Sequence, residues 1–141
     1  MPVDTNHTGI EADFEESLVS AARTSLGDTL RSVVYFTPSA FDVLYVRRGL
    51  YPSAEAARDA KSQLVALETV GFAEAPARTA IFDGEHESSI GPYEFTVRFH
   101  EDGFVVRVLE GNSGVLLTTD SMDVTAFEEA VGAIKKLLVA Q

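Results

Sequence analysis

Cysteine is absent from this 141-residue chain. That excludes disulfides, thiolate metal sites and cysteine nucleophiles. Long hydrophobic runs are missing too: none approaches the ~20 residues needed to cross a bilayer. Lysine is scarce, present only as Lys61, Lys135 and Lys136. Catalytic signatures are also lacking. There is no Gly-rich phosphate loop, no G-x-S-x-G elbow and no H-E-x-x-H pair. The opening "MPVDTNHTGIEADFEES" is polar and acidic, unlike a secretory signal. The expected location is therefore the cytoplasm, and the expected class is not an enzyme, with no cofactor and no bound metal.

What remains is acid. The chain has 22 Asp and Glu against 11 Lys and Arg, a formal net charge of −11. Such a surface repels nucleic acids and anionic membranes. Excess carboxylate combined with few lysines reads as adaptation to molar salt, where the Debye length falls to about 3 Å and self-repulsion is screened. An apolar fraction of 45% is ordinary for a folded domain. The length fits one domain with its own core. Residues 1–10 show no period and are expected as a disordered tail, with a single α+β domain over 11–141.

Phe14, Leu18, Ala21 and Ala22 recur at helical spacing before Gly27, which predicts a helix over 11–26. "TLRSVVYF" (29–36) predicts a strand. "TPSAFDVLYVRRGL" is ambiguous. Thr37-Pro38 suits a helix start, yet "VLYV" has strand propensity and "TPSA" could be a hairpin turn. The balance leans to a short helix over 38–48, with the strand left open. Ser53 caps a helix over 54–69 with Ala57, Ala60, Leu64 and Leu67 inward, ended by Gly71. Residues 72–91 read as loop, with a short strand conceivable at "RTAIF". Three strands follow between Tyr93 and Thr119. A last helix starts at Asp123 or Thr125, where Thr125 and Glu128 could form a capping box. Its core face is Phe127, Ala130, Val131, Ile134 and Leu138.

"YEFTVRFHEDGFVVRVLEG" (93–111) reads as a hairpin around Asp102-Gly103, a two-residue turn suited to positive φ. That register sets Phe99 against Val106, Val97 against Val108 and Arg98 against Arg107. A four-residue "GNSG" loop then sets Thr118 against Arg107. Val97, Phe99, Val106 and Val108 line one buried face. The other face gathers Arg98, His100, Arg107, Leu109, Leu116 and Thr118. Like charges opposite each other are unfavourable, so the arginines need anions. Three readings stand. The arginines snorkel and pair with local carboxylates such as Glu94 or Asp120; the face meets a protein partner or a second copy; or Arg98, Arg107 and His100 grip a small anion.

Other clusters carry less. His86 among Asp83, Glu85 and Glu87 has no fixed metal-ligand spacing, so a solvated acidic loop is the simpler reading. His7 lies in the expected tail and reads as inert. Arg47-Arg48 beside Tyr45 and Tyr51 could stack on nucleic acid, but pairing with the chain's own carboxylates fits its charge better. Glu15/Glu16 and Glu128/Glu129 are sequence neighbours and do not face each other on a helix.

The phrases "GDTLRSVVYFTPSAFDVLYVRRGL", "GPYEFTVRFHEDGFVVRV" and "GVLLTTD" resemble a family of small acidic haloarchaeal proteins of unknown function, from about Gly27 onward. That resemblance implies a halophilic source and assigns no functional residue. The element order is also similar to the roadblock (dynein light chain 7) domain, a profilin-like sandwich. That second resemblance implies dimerisation and regulation of small GTPases or scaffolding, and it requires a strand near residues 41–47. The expected architecture is α+β: a mostly antiparallel sheet ending in a three-strand meander, with helices packed on it. The expected role is a non-enzymatic interaction or regulatory module, homodimeric or bound to a protein partner. The alternative is a sensor of a small anion.

Overall fold

A computed structural model describes residues 6–82 and 90–141 of the chain. Helix α1 spans Ala12–Leu26 and ends at Gly27, whose φ of 55° suits a residue without Cβ. A short 3-10 turn, Gly27–Thr29, leads into β1, Leu30–Phe36. Strand β2, Phe41–Val46, pairs antiparallel with β1. Helix α2 is Ala54–Glu68 and α3 is Gly71–Phe82. Strands β3 (Thr96–His100), β4 (Gly103–Glu110) and β5 (Ser113–Thr119) form the meander, and α4 is Val124–Ala140. The five strands make one antiparallel sheet in the order β2-β1-β5-β4-β3. The α+β class and the C-terminal meander are as expected. No helix of the described residues is long and apolar enough to cross a membrane.

Within the ambiguous stretch 38–48, residues 41–46 are strand β2, and there is no short helix. Thr37 does not start a helix but closes the turn: its N–H donates to the Ala40 carbonyl at 2.8 Å, and its hydroxyl accepts from the Ala40 N–H at 3.1 Å. Pro38 then occupies the second turn position, where its fixed φ is favoured. The strand propensity of "VLYV" prevails because β1 lies beside it, Phe36 opposite Phe41. Of the stretch read as loop, residues 72–82, which include "RTAIF", belong instead to α3. Gly71 begins a helix rather than only ending one, and Pro76 sits inside it. His86 and its acidic neighbours lie outside the described residues.

Both tight turns shift the expected register by two residues. His100 pairs with Gly103, so Glu101-Asp102 make the first turn. Glu110 pairs with Ser113, so Gly111-Asn112 make the second, with Gly111 at φ 61°. Gly103 is not needed for positive φ. It is needed for closeness, since a Cβ there would come within 2.6 Å of the Thr119 carbonyl oxygen. Arg107 therefore faces Thr96 and Leu116, while Arg98 faces Val105. Thr118 faces Val105 and not Arg107. A slip of two keeps every side chain on its face, because the strand period is two.

The sheet is covered on both sides. On the first face, Val33, Tyr35, Val106, Val108, Val115 and Leu117 pack with Leu18 and Ala22 of α1 and with the predicted core face of α4. Asp123 caps α4, its carboxylate accepting from the Ala126 N–H at 3.0 Å. On the second face, Val34, Phe36, Phe41, Val105 and Leu116 pack with Val65 of α2 and Phe72 of α3. Helix α2 is rotated from its expected orientation. Its buried residues are Ala57, Lys61, Val65 and Glu68, while Leu67 is 72% exposed.

Asn6 to Ile10, part of the expected tail, run beside β2. The Phe41 N–H donates to the Asn6 carbonyl at 3.2 Å. Asp42 accepts from the Thr8 N–H at 2.9 Å and from its hydroxyl, and its carboxylate lies 2.6 Å from His7 Nδ1. Burial alone would raise the Asp42 pKa, but these bonds outweigh it and hold the carboxyl below its usual range.

Candidate functional site

Of the three readings of the second face, the arginines do pair with the chain's own carboxylates, but not with Glu94 or Asp120. Helices α2 and α3 lie over the face and bring Glu68 and Glu74. Arg107, on β4, is 1% exposed. Its Nη1 donates to Glu68 Oε1 at 3.0 Å, and its Nη2 donates to Glu74 Oε1 at 2.5 Å and Thr96 Oγ1 at 3.2 Å. Arg98, on β3, reaches the same Glu68 from the solvent side, Nε to Oε2 at 2.5 Å. Glu68 ends α2 and is 2% exposed, so it bridges one buried and one half-exposed guanidinium.

The helix junction makes this possible. Only two residues, Thr69 and Val70, separate α2 from α3, so Glu68 and Glu74 descend on the sheet from adjacent helix ends. Gly71 leaves the necessary gap, since a Cβ there would stand 2.5 Å from the Arg107 guanidinium carbon. Burial works against the charge on Arg107, but bonds to Tyr93 and Glu74 and the charge of Glu68 keep its pKa above the usual value. Glu74 is held below the usual carboxylate range, first by its hydrogen bond from Arg107. Arg107 Nε is the only buried side-chain polar atom among the described residues without a partner. The cluster is otherwise satisfied, as a buried charge must be.

Of the six residues singled out, the structure joins Arg98 and Arg107 through Glu68 and not across the hairpin. Leu116 is fully buried and Leu109 half-buried in the second core. Thr118 is buried, its hydroxyl 2.5 Å from that of Ser32. His100 is exposed at the end of β3 and belongs to a different place, the rim of a cavity beside Lys61. Asp120, a suggested partner for the arginine pair, binds Arg31 and Arg47 instead, at 3.0 Å and 2.5 Å. Arg47 thus pairs within the chain. Glu68, Glu74, Gly71 and Lys61 were missed. The one signal available for Glu68 and Lys61 was their helical spacing with Ala57 and Val65.

With the second face filled, the open feature of the sheet is an edge. Strand β2 is flanked by residues 6–8, but β3 ends the sheet on the other side. Among the described residues no backbone hydrogen bond reaches its outer edge. Phe99 in its middle is 72% exposed, stacked edge-on against Phe104 at 5.0 Å. No group of three or more metal-ligating side chains occurs among the described residues.

The family model described as "Domain of unknown function (DUF7522)" matches residues 16–139, and the chain belongs to that family. No curated protein matches it. Among solved structures it is similar to the gliding protein MglB from Thermus thermophilus. That likeness has a TM-score of 0.58 at 12% identity and covers 94% of this chain and 96% of the other. It is also similar to a structure described as MglB with tetrameric arrangement, with a TM-score of 0.53 at 15% identity, covering 93% and 94%. At such identities the likeness shows the fold, which is the roadblock-like one that the element order suggested.

Proposed function

We propose that this DUF7522 member is a non-enzymatic interaction and regulatory module that acts as a homodimer, two copies joining their sheets through β3. The exposed β3 edge carries this reading. Sheets guard their edges with proline, bulges, covering segments or outward charge. Strand β2 has both a bulge at Leu44, where its pairing shifts between Val33 and Val34 of β1, and residues 6–8 beside it. Strand β3 has an unbroken register and no proline. Its one charged side chain, Arg98, is drawn onto Glu68. Pairing with a second β3 would satisfy a row of backbone groups and cover Phe99. The arrangement described for one MglB structure, a tetramer, fits a fold that self-associates.

The second face, once the candidate surface, offers a partner little, because Arg107, Leu116 and Thr118 lie beneath α2 and α3. The module works in the cytoplasm of a halophile, where its acidic surface remains hydrated and screened, and its fold weakens as salt is removed. Light scattering after size exclusion in molar potassium chloride tests the assembly. A wild-type dimer that Phe99→Asp converts to a monomer supports it. A monomeric wild type, or a dimer indifferent to Phe99→Asp, overturns it.

A further inference from the structure

Lys61 stands apart from every other buried charge in the molecule. The residue is 6% exposed, and its amine, which reaches the surface of a cavity, has no hydrogen bond and no ion pair among the described residues, only the Tyr51 ring nearby. Buried lysines are almost always paired. This one is unpaired in a chain with 22 carboxylates. Its amine lines a cavity of about 400 Å³ between α2 and the β3–β4 turn. Tyr51 forms one side, its ring centre 5.6 Å from Nζ. Leu64 and Val105 add apolar wall. Arg31 and His100 are the further basic groups there, and the Thr118 side is polar. Glu101 and Asp102, both exposed, stand at the mouth. Arg98 and Arg107 cannot serve an anion, since Glu68 and Glu74 already answer them. Lys61 has no such answer.

We infer that this cavity binds a small organic monocarboxylate, its carboxylate on Lys61 and its apolar body against Tyr51, Leu64 and Val105. The volume suits a ligand of that size. A cation inside and two carboxylates at the mouth favour one negative charge and repel a second. Burial, with the charge of Arg31 adding to it, pushes the Lys61 amine down to about 8. A bound carboxylate would reverse that by giving the charged form a partner. This inference stands apart from self-association, which involves the β3 edge and Phe99.

The test uses the intact protein with 13C-labelled lysine, whose three lysines give three resolvable signals. Lys135 and Lys136 do not line this cavity and act as controls. Acetate, hexanoate and benzoate are each titrated, with phthalate and inorganic phosphate as multiply charged comparisons. The expected result is a Lys61 pKa raised by about one unit or more by hexanoate or benzoate, with the controls unmoved. A parallel rise in unfolding temperature should grow with ligand concentration and vanish in Lys61→Met. No change at Lys61 with any of the three monocarboxylates overturns the inference. So does a thermal shift that survives in Lys61→Met, or tighter binding of phthalate or phosphate.

Discussion

Removing Arg107 should reveal how much of this fold depends on one buried cation. The substitution Arg107→Met keeps an unbranched stem as far as the Nε position and removes the charged guanidinium. It leaves Glu68, 2% exposed, with Arg98 alone. Breaking a buried ion pair from one side costs about 3–5 kcal/mol, because the surviving charge stays buried. Arg98 still holds Glu68, so the lower end applies, ~3 kcal/mol. Glu74 is 32% exposed and also bonds Arg78 at 3.2 Å, so its loss adds little. For a domain of this length the midpoint should fall by about 10 °C. Adding Glu68→Leu removes the stranded carboxylate, and apolar replacement of such a pair is near neutral. The double variant should return to within ~1 kcal/mol of wild type. Arg98→Met, at a side chain 44% exposed, should cost under ~1 kcal/mol. Urea unfolding at fixed salt measures all of these. An Arg107→Met variant as stable as wild type, or a double no better than the single, would refute the buried-bridge account.

Gly71→Ala should destabilise even though alanine favours a helix by about 1 kcal/mol. Its methyl group would meet the Arg107 guanidinium, and overpacking of this kind costs about 1–3 kcal/mol; a more stable variant in thermal melts would contradict this. Glu74, Asp42 and Asp120 have folded-state pKa values below their ordinary 4.5, 3.8 and 3.8. Their stabilisation is complete above those values and is lost as pH falls through the folded ones, so acid melts should weaken below about pH 4.5. Glu74→Gln should flatten part of that slope. Lys61 has the opposite sign. Its folded pKa of about 8 lies below the unfolded 10.5, so the unfolded chain binds more protons in between and stability rises from pH 8 to 10.5. Lys61→Met should lack that rise relative to wild type.

The faces of the sheet were legible because a two-residue periodicity fixes them whatever the register. The register was not, because Asp102-Gly103 carries the signature of a positive-φ turn. Gly103 is there for another reason, the closeness of the Thr119 carbonyl. Helix α4 read correctly down to its buried residues, since its apolar stripe is unbroken. Helix α2 did not, because two of its buried positions are Lys61 and Glu68. Hydropathy assigned the inside to Ala60 and Leu67, which are exposed. The need of Arg107 for a carboxylate was legible. The helix junction that supplies Glu68 and Glu74 was not, because Gly71 and Pro76 both look like helix breakers. Strand β2 depended on β1 beside it, a tertiary effect that local propensity does not contain.

The most direct test of the β3 assembly is amide hydrogen exchange along Thr96–His100 as a function of protein concentration. If two copies pair through β3, its amides pointing away from β4 will be protected at high concentration. They will lose that protection on dilution, and Phe99→Asp will lose it throughout. Rapid exchange of those amides at every concentration would contradict the pairing.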